Sequence, residues 1–218
     1  MCGAGRSTLV IRIPAVFHSC VTIRLTRPQQ VERNRGLLLD AARTVFLQRG
    51  YAGATLEAIA DEAGFSKGVV YSQFAGKADL FLALLERRIA DRAEENSRLV
   101  AEHAGVDALR ALLRVNAQRA AEAADWGRLL IEFRVVAARD PALNARYAQL
   151  HARTRSAFAQ AVTAALAKDG LVPVYPPETF AQLIFALDTG STLEHAADPG
   201  ALPTELLEDL LTRLVSPA

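Results

Sequence analysis

The chain has 218 residues, room for one large domain or a small one joined to a larger one, and its 51% hydrophobic and 22% charged content is that of an ordinary globular protein. No apolar run reaches the roughly 18 residues of a membrane span, and Cys2 and Cys20, without metal-ligand spacing to histidine, exclude a disulfide framework and a zinc site and point to a reducing, cytoplasmic setting. The net charge of +1 conceals an asymmetry, because residues 1–77 hold ten Lys and Arg against five Asp and Glu while the remainder holds fifteen against nineteen. A basic front on an acidic rear suits a nucleic-acid-binding head on a body with another task.

Aromatic residues are only 6%, Ala and Leu abound, and prolines stand at intervals that leave long uninterrupted segments, which predicts an all-α protein. Residues 1–27 set Arg6, Arg12, Arg24 and Arg27 among apolar residues and read either as a disordered extension or as a basic arm along a DNA groove. Arg12, Pro14 and Arg24 interrupt the apolar run, against a signal peptide. Over residues 29–49, Val31, Leu38, Ala41, Ala42, Val45 and Phe46 recur at helical spacing, and Gly50 ends that helix. Thr55 is the natural N-cap of a second helix whose inner face is Leu56, Ile59, Ala60 and Ala63, with Gly64 as its breaker.

Ser66 then caps a third helix over residues 67–74. Val70 and Phe74 turn inward toward Ile59 and Phe46, which leaves Lys67, Val69, Ser72 and Gln73 outward and Tyr71 at the flank. Two short helices about a tight glycine turn make a helix-turn-helix. Gly76 closes the unit and Lys77 opens a long helix to residue 102. Further helices follow at residues 106–122, 124–138, 141–168, 177–197 and 204–215, punctuated by Asp140-Pro141, Asp169-Gly170, Pro176-Pro177 and Asp198-Pro199-Gly200.

Gly50-Tyr51, Thr55, Ile59-Ala60, Ala63-Gly64, Ser66-Lys67-Gly68, Val70-Tyr71, Phe74, Lys77 and Leu80-Phe81 together resemble the DNA-binding head of TetR/AcrR-type, tetracycline-repressor-like regulators. The resemblance covers about residues 29–85. It implies a head over residues 28–76 and a ligand-binding, dimerising body over residues 77–218, with about nine helices in all. It also implies that Thr55 and Leu56 meet the DNA backbone through a helix N-terminus, and that Ser66, Lys67, Gly68 and Val69 lead the recognition helix into the major groove. Tyr71 matches a phosphate-bonding tyrosine, Ser72 and Gln73 reach bases or phosphates, and Lys77 matches a basic residue that holds a phosphate. Helix N-termini attract phosphate and groove-facing side chains read bases, so the physics agrees. Val69 departs from the small polar residue usual in the family and offers an apolar surface to a thymine methyl.

For the body, the resemblance implies a small apolar or amphipathic effector and a homodimer. Trp126, Phe133, Arg134, Tyr147, His151, Phe158 and Phe185 are the pocket candidates, with Glu132 flanking Phe133; aromatic residues at helical spacing also serve as plain core. Phe180, Leu183, Ile184 and Leu187 form one apolar stripe and Leu206, Leu207, Leu210, Leu211 and Leu214 a second, the parts of a four-helix dimer interface. Two-fold symmetry would set the recognition helices about 34 Å apart on a palindromic operator. The expected regulator is a repressor released when an effector swings the helix from Lys77. The alternatives are an activator, a ligand-independent regulator or an all-α enzyme. Against the last, His18, His103, His151 and His195 are scattered singly, and there is no metal-spaced set, phosphate-binding glycine loop, cofactor motif or nucleophile–base pair.

Overall fold

Helix α1 (Arg27–Gly53) begins two residues before the expected start because the sequence supplies a capping box there. The Gln29 amide donates to the Thr26 hydroxyl at 3.4 Å, the Thr26 amide donates to the Gln29 side chain at 2.9 Å, and Pro28 lies in the first turn. The computed structural model describes residues 26–122, 124–198 and 200–218, so the extension expected over residues 1–27 lies outside the described residues apart from Thr26 and Arg27.

Gly50 was expected to end the first helix, and it kinks it instead. At a φ of 68° it breaks the helical path, and one further turn carries Tyr51 into the core before Ala54 caps the helix. Helix α2 (Leu56–Ala63) starts at Thr55, whose hydroxyl accepts from the Ala58 amide at 3.2 Å, and stops at Gly64 in the left-handed region with φ 69°. Helix α3 (Lys67–Gln73) follows Ser66, but the expected side-chain cap is absent, since the Ser66 hydroxyl makes no capping bond. Helix α4 (Lys77–Glu102) follows Gly76.

Helices α5 (Gly105–Glu122), α6 (Ala124–Ala137) and α7 (Pro141–Ala167) come next, and the Asp140 carboxylate caps α7 by accepting from the amides of Ala142 at 3.0 Å and Leu143 at 3.1 Å. After β1 (Leu171–Pro173) come α8 (Pro177–Ala197), α9 (Thr204–Thr212) and β2 (Val215–Pro217), giving nine helices among the described residues. The strands correct the expectation of helix to residue 215. Gly170 reverses the chain at φ 66°, and β1 pairs antiparallel with β2, Val172 opposite Ser216. The ladder ties the end of the chain to the end of α7, with the Ala218 amide donating to the Gly170 carbonyl at 2.9 Å.

Two apolar clusters form the core. The first unites Leu38, Phe46, Ile59, Val70 and Phe74 of the three-helix head with Leu80, Phe81 and Leu84 of α4, Phe133 of α6 and Leu143 and Tyr147 of α7. The second joins Leu109 and Leu112 of α5, Val162 and Leu166 of α7, Phe180 of α8 and Leu211 of α9. Phe180 and Leu211, expected at the dimer interface, are each 1% exposed and belong to this inner cluster, because docking α8 and α9 on their own protomer uses those faces. No helix among the described residues is long and apolar enough to cross a membrane.

Candidate nucleic-acid interface and cavity

The head presents α3 as a short exposed helix on a rigid base. Val70 and Phe74, four residues apart, are buried against Phe46 and Ile59, and this orients the opposite face outward. That face carries Lys67, Gly68, Tyr71 and Ser72, all exposed, beside exposed Ser66 and Thr55. A Cβ placed on Gly68 would meet only the Ser66 hydroxyl, at 3.8 Å, so nothing inside the protein requires glycine there. Close approach of an outside surface would.

Lys67 reaches back to Glu57 on α2 at 3.5 Å. The backbone amide of Glu57 first, and the Lys67 charge after it, hold that carboxyl below its ordinary pKa. Sequence reading missed this acidic partner, because a ten-residue separation across a turn has no periodic signature. Arg35 was also missed; its guanidinium lies 4.7 Å from the Phe74 ring centre, over the back of the recognition helix.

Four expected DNA contacts have different surroundings from those foreseen. Leu56 is buried, so only its backbone amide at the start of α2 faces outward chemistry. Val69 is half-buried and packs on the head core, which removes much of the apolar surface offered to a thymine methyl. Gln73 is half-buried with its side-chain oxygen enclosed and unpartnered. Lys77 donates from Nζ to the carbonyls of Tyr51 at 2.7 Å and Ala52 at 3.0 Å and lies 4.8 Å from the Tyr51 ring centre. Two of its three N–H donors thus close the C-terminal end of α1, and partial desolvation draws its pKa below the ordinary lysine value.

Tyr51 is the node where head and body meet. Its amide donates to Glu132 Oε2 of α6 at 2.8 Å, its carbonyl accepts from Lys77 of α4, and its ring packs at 5.8, 5.3 and 5.1 Å from those of Phe46, Phe81 and Phe133. Burial raises its hydroxyl pKa. Gly50 makes the approach of Glu132 feasible, since a Cβ at this positive-φ residue would stand 2.8 Å from Glu132 Oε2. Glu132, named beside the pocket candidates, therefore points to the head.

Between the two core clusters lies a cavity of about 970 Å³ walled by α4 to α9. Trp126, Arg134, Tyr147, His151, Phe158 and Phe185 line it, as expected. Phe133 does not. It is fully buried behind the wall, 4.4 Å from the ring of Phe81 and 5.7 Å from that of Tyr147. Rings then continue along the wall from Tyr147 to His151 at 5.6 Å and from His151 to Phe185 at 5.4 Å, so stacked and edge-on aromatics run unbroken from Tyr51 to the cavity.

The wall also holds charge that sequence periodicity did not reveal. Arg88 lies 4.6 Å over the Trp126 ring, and Asp188, walled by protein but open to the cavity, has its pKa raised by desolvation against the opposing charge of Arg92. Ile184, Leu187, Leu207 and Leu211, expected in the dimer stripes, face this cavity too. Leu214 packs partly buried on the second cluster. Of the expected interface residues, Leu183 at 38%, Leu206 at 46% and Leu210 at 40% remain exposed, with Val174 and Tyr175 as further exposed apolar side chains on the C-terminal elements.

Residues 38–84 match the family model of bacterial regulatory proteins of the tetR family, and residues 105–216 match that of the C-terminal domain of BetI-type transcriptional repressors. The HTH-type transcriptional activator FasR of Mycolicibacterium smegmatis is 48% identical over 58 residues, 27% of this chain and 26% of its own length. The HTH-type transcriptional repressor AcnR of Corynebacterium glutamicum is 31% identical over 114 residues, 52% of this chain and 56% of its own. The chain thus spans between about a quarter and little over half of these relatives. Among solved structures, Escherichia coli NemR in its reduced form aligns with TM-score 0.65 at 20% identity over 85% of this chain and 98% of that one. The fatty acid degradation regulator FadR of Bacillus halodurans aligns with TM-score 0.64 at 16% identity over 83% and 93%. Both share the fold.

Proposed function

The chain belongs to the TetR family of bacterial transcriptional regulators, and from that premise we propose that it is a ligand-responsive repressor that grips a palindromic operator as a homodimer in the cytoplasm. The observation that carries the reading is the outward face of α3, where Lys67, Tyr71 and Ser72 stand exposed while Val70 and Phe74 fix the helix from behind. Thr55 and the first amides of α2 would hold phosphate, Ser66 and Lys67 would enter the groove, and Tyr71 and Ser72 would contact phosphate or base edges. Leu56, Gly68 and Val69 would contribute backbone proximity more than side-chain readout, and Gln73 would reach DNA through its amide nitrogen. Lys77 would offer a phosphate its remaining donor.

Exposed Leu183, Leu206 and Leu210 support pairing through α8 and α9, where a second copy would cover the apolar surface. A small amphipathic effector would occupy the cavity. Its binding would favour a conformation in which α4 and α6 shift together at Tyr51, which both helices grasp, and carry the two heads out of groove spacing. The repressor sense rests on AcnR, which spans half of this chain and is named a repressor. The activator sense has FasR behind it, but that likeness is confined to 58 residues, and a head alone does not set the sign of regulation.

An electrophoretic shift assay with the region upstream of the chain's own gene tests the reading. A specific complex that weakens steeply with salt is expected. Binding without sequence preference at low salt would sink it. Lys67→Ala should weaken binding and relax base preference, whereas Tyr71→Phe should weaken all sites alike.

A further inference from the structure

We propose that the effector is an amphipathic carboxylate whose charged end is held by Arg134 with Tyr147 and His151. The inference rests on the reading of the cavity as the effector site and adds the chemistry of what enters it.

Arg134 differs from the other arginines of the wall. Arg114 is paired with Glu208, Arg128 with Asp125, Arg92 acts on Asp188, and Arg88 lies over Trp126. Arg134 meets no carboxylate among the described residues. Its one hydrogen bond goes to the Thr189 hydroxyl oxygen at 3.2 Å, and its guanidinium lies 5.9 Å from the Tyr147 ring centre. Thr189 donates its own proton to the Phe185 carbonyl at 2.9 Å, so its oxygen can only accept from Arg134. That contact aims the guanidinium without neutralising it. Four of the five N–H donors of Arg134 remain for something else, and a fork of such donors matches a carboxylate.

The neighbours reinforce the sign. Tyr147 and His151 line the same wall and make no hydrogen bond of their own among the described residues. Desolvation keeps the Tyr147 hydroxyl protonated, and desolvation first, then the charges of Arg134 and Arg155, keep the His151 ring neutral. The cluster therefore offers a cation, a hydroxyl donor and a ring N–H, with no anion among them. For a cationic ligand the wall offers Glu208 and Glu205, which act on Arg114, and Asp188, whose carboxyl desolvation presses toward its neutral form in spite of Arg92. A neutral ligand would cover the Arg134 charge without supplying a counter-ion. The remaining lining, Trp126, Leu130, Phe158, Ile184, Phe185 and Leu187, asks for an apolar body.

The test uses the full chain, titrated calorimetrically with submicellar dodecanoate, dodecanol and dodecyltrimethylammonium, and with 4-tert-butylbenzoate beside its benzyl alcohol. Trp126 is the single tryptophan and lies in the wall, so its fluorescence reports that the ligand sits in the cavity. At least about tenfold preference for carboxylate over alcohol is expected in one of the two series, the size of a charge-assisted hydrogen bond, and which series shows it tells a chain from an arene. Arg134→Met should bring that preference to within about twofold, while Arg134→Lys should keep part of it. Equal binding of alcohol and carboxylate, tighter binding of the ammonium, or equal weakening of acid and alcohol by Arg134→Met would overturn the carboxylate and leave a ligand-responsive regulator standing. Operator binding with no compound bound at all would overturn both.

Discussion

The head and the body of this molecule solve opposite packing problems. Where the head seats on the body, the ring of Phe81 lies 5.2 Å from that of Phe46 and 4.4 Å from that of Phe133 and all three are fully buried, while further along α4 the body opens around a cavity of about 970 Å³. A surface that must meet DNA in register needs a base that does not yield, and close packing supplies it. A body that must answer a ligand needs apolar surface left unfilled, so that the ligand completes the packing. The junction is Tyr51, fastened by backbone to both α4 and α6.

The contrast is broken most directly by truncating one ring on each side. Phe133→Ala should destabilise by about 3–5 kcal/mol, because it opens a void in a fully buried cluster that can relax only in part. Phe185→Ala enlarges a space that already exists and should cost about 1 kcal/mol. Urea-unfolding midpoints measure both, and equal losses would mean that the two regions are packed alike.

The junction itself is the next largest effect. Glu132→Ala leaves the Tyr51 amide without its acceptor and should cost about 1–3 kcal/mol of stability. More tellingly, operator binding should persist while its release by effector weakens, because α6 no longer grips the head. Glu132→Gln keeps an acceptor and should lose less of both. A Glu132→Ala protein that still releases DNA normally would assign the signal to α4 alone.

Gly50→Ala sharpens the same point through strain. At φ 68° and ψ 173°, a region open essentially to glycine alone, alanine costs about 1–3 kcal/mol, and its Cβ would press on Glu132 Oε2 as well. With Glu132→Ala already in place the steric share disappears, so a double-mutant cycle should be non-additive. Additive losses would show that Gly50 is needed for its backbone angle only.

What could be read from the chain beforehand divides along the same line. The helix-turn-helix was legible because Gly64, Thr55 and the pair Val70 and Phe74 each carry a local signal, a cap, a stop or a four-residue step. The aromatic wall was legible as a set, since rings at helical spacing on α6, α7 and α8 gather when those helices pack. The sides to which individual residues turned were not. Whether Phe133 faces the cavity or its back, or Leu211 a partner or its own core, depends on helix rotation, which a stripe wider than one residue leaves open. The contacts of Lys77 and Glu132 went unforeseen for another reason: their partners are backbone groups of α1, carbonyls for Lys77 and an amide for Glu132, and backbone groups leave no mark in a sequence. The β1–β2 ladder, three residues a side, is too short for periodicity to register.

The smallest expected effect concerns how the rigid head waits for DNA. In the free protein the Glu57 carboxylate pairs at 3.5 Å with Lys67, a side chain that the recognition face would turn toward phosphate or base. On binding, either Lys67 leaves Glu57 or Glu57 comes with it to the phosphates as a like charge. Both routes weaken binding, so Glu57→Gln should tighten the complex on operator and unrelated DNA together and leave thermal stability unchanged, because an exposed pair contributes little to folding. A salt series of shift assays on both DNAs measures this. The opposite outcome, weaker operator binding with unrelated DNA unaffected, would mean that Glu57 holds Lys67 in its reading position, and the free recognition face would then be set by electrostatics as well as by the packing of Val70 and Phe74.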